Sequence, residues 1–383
     1  MRTLNPSVAV VMAVGGALLL TGCEPNADQG GAIAVTSTDD SCEVAATEAP
    51  AGTLKFDVTN EGSKVTEFYL LGEDGLRIIG EVENIAPGLE RSLTVTAPEG
   101  KYFTACKPGM VGDGLRGDFT VTKGEGGEQV SAEDSQLAEQ ATTQYSAYVK
   151  DQTEQLLTGT EDFAKAYKAG DDDKARELYP KVRTNWERIE PVAESFGDLD
   201  PKLDLREADL EDGQEWTGWH LLEKDLWPPK DGYTALSNAD REKYADLLVE
   251  DTKVLYDRTR EMTFTPDQLS NGAKKLLDEV ATGKVTGEEE TWSHTDLWDF
   301  QANVDGARVA YEDLKPLLAT RDKELDETLS TRFADLQALL DGHRKGEGFV
   351  LYTELSKDEV KELSDAVNAL SEPLSQLTDK VVG

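Results

Sequence analysis

Between residues 42 and 122 apolar and polar positions alternate with a period of two. TLKFDVTN, FYLLG, LRIIGEVEN, RSLTVTA, KYFTA and GDFTVT each read as a half-buried strand, separated by turns of Gly, Pro, Asn and Asp. Six or seven such strands in a span of about 80 residues predict a small β-sandwich. Residues 123–131 interrupt the pattern as a Gly-rich acidic linker. From residue 132 to residue 383 the apolar spacing becomes three and four, in segments such as QLAEQATTQYSAYVKDQTEQLL, REKYADLLVEDTKVLYDRTREM and ELDETLSTRFADLQALL. About eight helices joined by short turns predict a bundle or a pair of bundles. The expected class is therefore multidomain, β followed by all-α.

The first 22 residues have a different pattern, a basic start and an apolar run over residues 8–20 that ends at a small-residue processing site. That is an export signal, too short for a comfortable span, which takes about 20 apolar residues. Leu20-Thr21-Gly22-Cys23 resembles a bacterial lipobox, so Cys23 is expected to carry lipid and residues 23–41 to tether it to the first domain. An ordinary cleaved signal with a stray Cys is the alternative. The lipobox places the chain on the outer face of the cytoplasmic membrane, attached by lipid alone. Lys and Arg total 39 against 76 Asp and Glu, a net charge of −37, which repels phosphate backbones and excludes nucleic acid as a partner. Cys42 and Cys106, an even pair in an oxidising compartment, are expected to form a disulfide.

The candidate chemistry centres on GWHLLEKDLW, residues 218–227, in a chain with three histidines. Helical spacing puts Trp216, His220, Glu223 and Trp227 on one stripe. An imidazole and a carboxylate there can form a buried hydrogen-bonded pair, an acid–base pair or two metal ligands. A His-Glu-x-x-His zinc protease does not fit, since Leu221 stands at the general-base position and Lys224 at the second ligand position. An all-histidine site would need His220, His294 and His343 together, and His343 reads as a helix-end residue. Two other stretches offer partners: RTNWERIEP with Glu187 and Glu190, and the run over residues 291–311 with His294, Trp298, Asp299 and Asn303 at helical spacing. Carboxylates with one or two imidazoles suit iron. Phosphate-binding and nucleophile-elbow motifs are absent from the sequence.

WERIEPVAESFGDLDPKLDLRE, then WTGWHLLEKDLW, then SHTDLWDFQANVDGA together resemble the imelysin-like domain of EfeO-type components of bacterial iron uptake, over about residues 132–383. The resemblance implies a helical domain of two four-helix bundles. It also implies an iron-type site made by His220, Glu223 and a carboxylate, Glu187 or Glu190. The implied partners are an iron permease and a haem peroxidase of the same system. A peptidase label accompanies that family, but no activating arrangement here supports proteolysis, so a non-enzymatic role is expected. TNEGSKVTEFYL and GKYFTACKPGMVGDGLRGDFTV resemble cupredoxin ligand segments, with Glu67 where a ligand His would stand and no His after Cys106. A blue-copper centre needs two His and a Cys, and this domain has no histidine. The cupredoxin-like domains of these proteins imply instead a second metal site at Cys42, Glu67 and Cys106, with Glu81 or Glu83 nearby and copper as an occupant. That set competes with the disulfide. Met110 reads as loop packing.

The sequence thus points to a lipid-anchored, extracytoplasmic protein that captures iron and delivers it to a permease. The competing readings are a metallopeptidase or metal oxidase of the envelope, and a lipoprotein that binds no metal.

Overall fold

The structure is a computed structural model, and it describes residues 31–124, 131–210 and 213–382. The expected signal sequence, the lipidation site Cys23 and most of the acidic linker lie outside the described residues. Nine strands build the β-domain: β1 Ile33–Ser37, β2 Cys42–Val44, β3 Glu48–Pro50, β4 Gly52–Asn60, β5 Thr66–Leu71, β6 Ile78–Ile85, β7 Glu90–Ala97, β8 Gly100–Cys106 and β9 Leu115–Thr122. They form two sheets, ordered β2-β1-β4-β7 and β3-β9-β8-β5-β6. Alternation sends one face of each inward. Phe56, Val58, Leu93 and Val95 from the first sheet meet Phe68, Leu70, Phe119 and Val121 from the second, and all eight are buried.

Strand β1 lies inside the stretch expected to be tether. Its five residues, IAVTS, bury Val35 and Ser37 by pairing in parallel with β4. A run this short and this rich in small residues carries no strand signal by itself; the neighbouring strand supplies the edge that orders it.

Cys42 and Cys106 form a disulfide, tying the edge strand β2 of one sheet to β8 of the other. With the sulfurs bonded to each other, neither is a thiolate, so the soft-ligand set with Glu67 does not exist in this state. Glu67 instead accepts a 2.6 Å hydrogen bond from the Tyr69 hydroxyl. The bridge spans 64 positions, and loop-entropy arguments give it roughly 4 kcal/mol. Cys42→Ser/Cys106→Ser is expected to lower the denaturant stability of the β-domain by about that amount. A thiol count on unfolded, unreduced protein should find none at these positions.

The helical domain comprises α1 Ala132–Lys168, α2 Asp172–Glu187, α3 Leu199–Asp204, α4 Trp219–Leu226, α5 Asn238–Thr259, α6 Pro266–Thr282, α7 Asp296–Arg321, α8 Lys323–Asp341, α9 Lys357–Leu374 and α10 Leu377–Val382. Side-chain caps start several of them, with Ser131, Asp171, Ser237 and Ser356 accepting from the first-turn amides of α1, α2, α5 and α9. α1, α2 and α5 pack as one group and α6, α8 and α9 as a second, with the long α7 packed against both. One apolar core runs through the two groups, from Tyr145 and Phe163 on α1 to Leu363 and Leu370 on α9.

Residues 32–383 form one compact unit. The β6–β7 side of the sandwich meets α6, α10 and the 3-10 segment Glu190–Phe196. The contact is polar. The Thr96 amide donates to Asp267, Asn271 donates to the Thr94 carbonyl, Lys55 pairs with Asp379, and Lys275 bridges Glu81 and Glu194.

Candidate metal centre

α4 is short because of what precedes it. Gly218 has φ of 87°, and a Cβ there would stand 2.2 Å from the Leu203 carbonyl oxygen. The chain therefore turns sharply at Gly218 and α4 begins at Trp219. Trp216, expected on the same helical stripe as His220, sits ahead of the helix, and Trp227 caps its end. His220 and Glu223 do share one face. Both are fully buried, and His220 Nδ1 lies 3.3 Å from Glu223 Oε2.

Around the imidazole the structure assembles two overlapping groups of ligand-capable atoms, each within 4.8 Å of one another: Asp204, His220 and Glu289, and His220, Glu223 and Glu290. They occupy opposite edges of the ring. His220 Nε2 is 3.4 Å from Asp204 Oδ1 and 3.7 Å from Glu289 Oε1. Asp204 comes from the end of α3, while Glu289 and Glu290 come from the turn before α7. His294 and His343 belong to neither group.

The carboxylates expected to complete the set border this centre without joining either group. Glu187 closes α2 and pairs with Arg183 and with Lys284 Nζ at 2.8 Å. Glu190 holds Lys284 Nζ at 2.8 Å and accepts from Asn303 Nδ2 at 2.6 Å. Both pair with Lys284, and neither joins a group with His220. The physical reason is Pro191, which cannot continue the helix. The backbone turns into the 3-10 segment there and directs Glu190 toward α7.

Arg183 is the hub. It has no exposed surface, pairs with Glu187 and Asp204, and contacts Glu290 at 2.7 Å through Nε. Sequence reasoning passed over Arg183, Asp204, Lys284 and Glu289. Arg183 and Asp204 fall within stretches already singled out, whereas Lys284, Glu289 and Glu290 sit in the turns between α6 and α7, where periodicity is silent.

The protonation states divide the two edges of the imidazole. Burial raises the Glu289 carboxyl, yet Lys284 and His220 outweigh it and bring the pKa down to about 2. Asp204 is likewise held below the ordinary range, because Arg183 and His220 outweigh its burial. Glu290 goes the other way, raised well above the ordinary value by burial and by the charge of Glu223. Glu223 is lowered despite burial by His220 and by the backbone N–H groups of Ser293 and Trp292, which donate to Oε1 at 2.7 and 3.0 Å. For His220, burial and Arg183 oppose the charged form, but Asp204, Glu223 and Glu289 prevail and its pKa lies well above the ordinary value.

The Asp204–Glu289 edge borders a cavity. A cleft of about 350 Å³ is lined by Asp204 and Glu289 together with Glu190, Asp200, Arg206 and Lys284. Glu223 and Glu290 are buried behind it and are not among its lining.

These features define a two-domain protein, a disulfide-tied β-sandwich followed by helical bundles that enclose a histidine–carboxylate centre. The imelysin family pattern matches residues 141–377 and a cupredoxin-like domain pattern matches residues 10–121. The Iron uptake system component EfeO of Yersinia pestis is 38% identical over 348 residues, 90% of each chain. EfeO of Escherichia coli strain 536 is 38% identical over 349 residues, again 90% of each chain. An Efem/EfeO family lipoprotein of Staphylococcus haemolyticus is 42% identical over 269 residues, 70% of this chain and 92% of that one. In three dimensions, an iron-regulated protein A precursor from Parabacteroides distasonis superposes with a TM-score of 0.51 at 17% identity, over 63% of this chain and 95% of that one, a likeness of fold. The chain belongs to the imelysin family, in its EfeO-type form with a cupredoxin-like domain ahead of the helical domain.

Proposed function

We propose that the protein is an extracytoplasmic, lipid-anchored iron-binding component of an uptake system, holding its cargo at Asp204, His220 Nε2 and Glu289. The observation that carries this reading is that Asp204 and Glu289, whose carboxylates come within 4.8 Å of the buried His220 imidazole and of each other, line a cleft of about 350 Å³. Two ionised carboxylates and an imidazole suit iron, which accepts hard oxygen ligands and tolerates nitrogen. The spacings fit as well. Metal–ligand bonds of about 2.1 Å place neighbouring ligand atoms roughly 3.0 to 3.4 Å apart, and His220 Nε2 is already 3.4 Å from Asp204 and 3.7 Å from Glu289.

In this arrangement Glu223 orients instead of binding. It accepts from His220 Nδ1 and from two backbone amides, so the ring turns Nε2 toward Asp204 and Glu289, as carboxylate partners of metal-bound histidines do. Arg183 holds Asp204 in place from behind. The cargo would complete its coordination with water or a small chelator on the cleft side. Each carboxylate beside the ring is already engaged by a cation or a backbone N–H, which leaves no free general base and favours holding over turnover. The name of the relatives, a component of an iron uptake system, supports iron as cargo; the recipient proposed here is a membrane permease.

Metal analysis of untagged protein, followed by calorimetric titration with ferrous iron under anaerobic conditions and with ferric citrate, tests this. One ion per chain is expected for at least one oxidation state. Absence of stoichiometric binding to either would sink the reading.

A further inference from the structure

Lys284 sits where a bound cation would not want it. Its side chain is nearly buried, with Nζ 2.8 Å from Glu187 Oε2, 2.8 Å from Glu190 Oε2 and 3.8 Å from Glu289 Oε1. The last of these is a proposed ligand, so an ion bonded to that oxygen at about 2.1 Å would lie no more than about 6 Å from the ammonium. Two cations about 6 Å apart repel strongly even at an effective dielectric of about 20. The structure also gives Lys284 somewhere to go. It lies on the 3-10 turn Lys284–Thr286, bounded by Gly283 and by Gly287 with φ of 77°, and it lines the same cleft as Asp204 and Glu289. A lysine is a point charge on a flexible four-carbon stem. Arg183, by contrast, is fixed on α2 by carboxylates on several sides and does not line the cleft.

We infer that Lys284 is a built-in competitor for the cargo: its ammonium neutralises Glu187, Glu190 and Glu289 while the centre is empty, withdraws into the cleft when a metal ion arrives, and returns to promote release. The inference rests on the iron-site reading above and specifies how that site lets go. The exchange swaps one cation for another and moves a charged side chain; the lysine stays protonated throughout. Glu187 and Glu190 thereby acquire a role that is not ligation. They are the resting place of the internal cation.

The test uses the full chain and two redox-silent probes, Mn²⁺ and Ga³⁺. Lys284→Met is expected to bind Mn²⁺ at least tenfold more tightly than wild type and to release it more slowly. Because the relieved repulsion scales with the charge of the ion, the logarithm of the Ga³⁺ gain should be about half as large again. Lys284→Arg should stay near wild type. If wild type binds neither probe nor iron, the metal-site reading falls and this inference with it. If wild type binds but Lys284→Met is unchanged or weaker, only the competitor role is overturned. Should Lys284→Met fold poorly, Glu190→Gln/Lys284→Met removes one charge of each sign and keeps the balance. Tighter binding by that double variant supports the competitor, whereas weaker binding with an unchanged melting curve overturns it by showing that these two residues support the bound ion.

Discussion

Arg183→Met is expected to be the most destabilising single change in the helical domain, costing about 3–5 kcal/mol, the usual penalty for breaking a buried ion network from one side. The guanidinium has no exposed surface and is the shared partner of Glu187, Asp204 and Glu290, with Asp299 3.7 Å from its Nε. Methionine fills much of the volume but leaves these carboxyl groups facing one another without a positive charge. Some of them take up protons in response, the direction in which burial already pushes Glu290 and Asp299. That response limits the loss without cancelling it, because Asp204 is held below the ordinary range chiefly by Arg183 acting against its burial. Lysine at this position should recover only part of the stability, since one ammonium cannot reproduce the planar fork that reaches Asp204, Glu187 and Glu290 from three nitrogens. Urea unfolding followed by helical circular dichroism measures the effect. Added metal should restore more stability to Arg183→Met than it adds to wild type, because the ion supplies the missing positive charge. A variant that unfolds at the wild-type midpoint would show that the network is not held together by this residue.

The β-domain was largely legible because most of its longer strands alternate in the chain itself, β5 being buried on both faces. LKFDV buries every second residue, and in RSLTV Leu93 and Val95 seat in the sandwich while Thr94 is covered by Asn271 and Asp379 of the helical domain. The short strands β1, β2 and β3 were not legible, since runs of three to five residues owe their conformation to the strands they pair with. The same division runs through the metal centre. His220 and Glu223 could be paired from sequence because a single helical turn relates them. Asp204, Glu289 and Lys284 are brought to them by the turn at Gly218, the end of α3 and the 3-10 turn after α6, none of which has a period to read. Glu187 and Glu190 were visible as an acidic pair near a tryptophan, but their partner is a lysine almost a hundred residues away. Spacing along a helix indicates which groups share a face. It does not indicate what the opposite face brings.

Replacing the ligands should separate binding from orientation. His220→Ala, Asp204→Asn and Glu289→Gln are each expected to lower iron affinity by at least a hundredfold, whereas Glu223→Gln should cost about ten- to a hundredfold, the range typical of a partner that orients a ligand. Glutamine at 223 keeps an acceptor for the two backbone amides and for His220 Nδ1 but gives up the charge. The pH dependence gives a second signature. Because His220 is held protonated well above its ordinary value, a metal ion must displace a proton from it, and affinity should rise about tenfold per pH unit from pH 6 upward until the raised pKa is passed. The carboxylates add little to that slope, since Glu289 is already ionised with a pKa of about 2 and Asp204 is held below the ordinary range. Stability of the metal-free protein should run in the opposite sense. A raised folded-state pKa contributes stability that is fully present below the unfolded value of about 6.5 and is lost as pH rises through the folded value. Alkaline solution should therefore loosen the empty protein while tightening its hold on iron, and His220→Ala should abolish both trends together. If affinity stays flat from pH 6 to pH 8 in wild type, or if Glu223→Gln proves as damaging as Asp204→Asn and Glu289→Gln leaves binding intact, the ion belongs on the other edge of the ring, between Glu223 and Glu290.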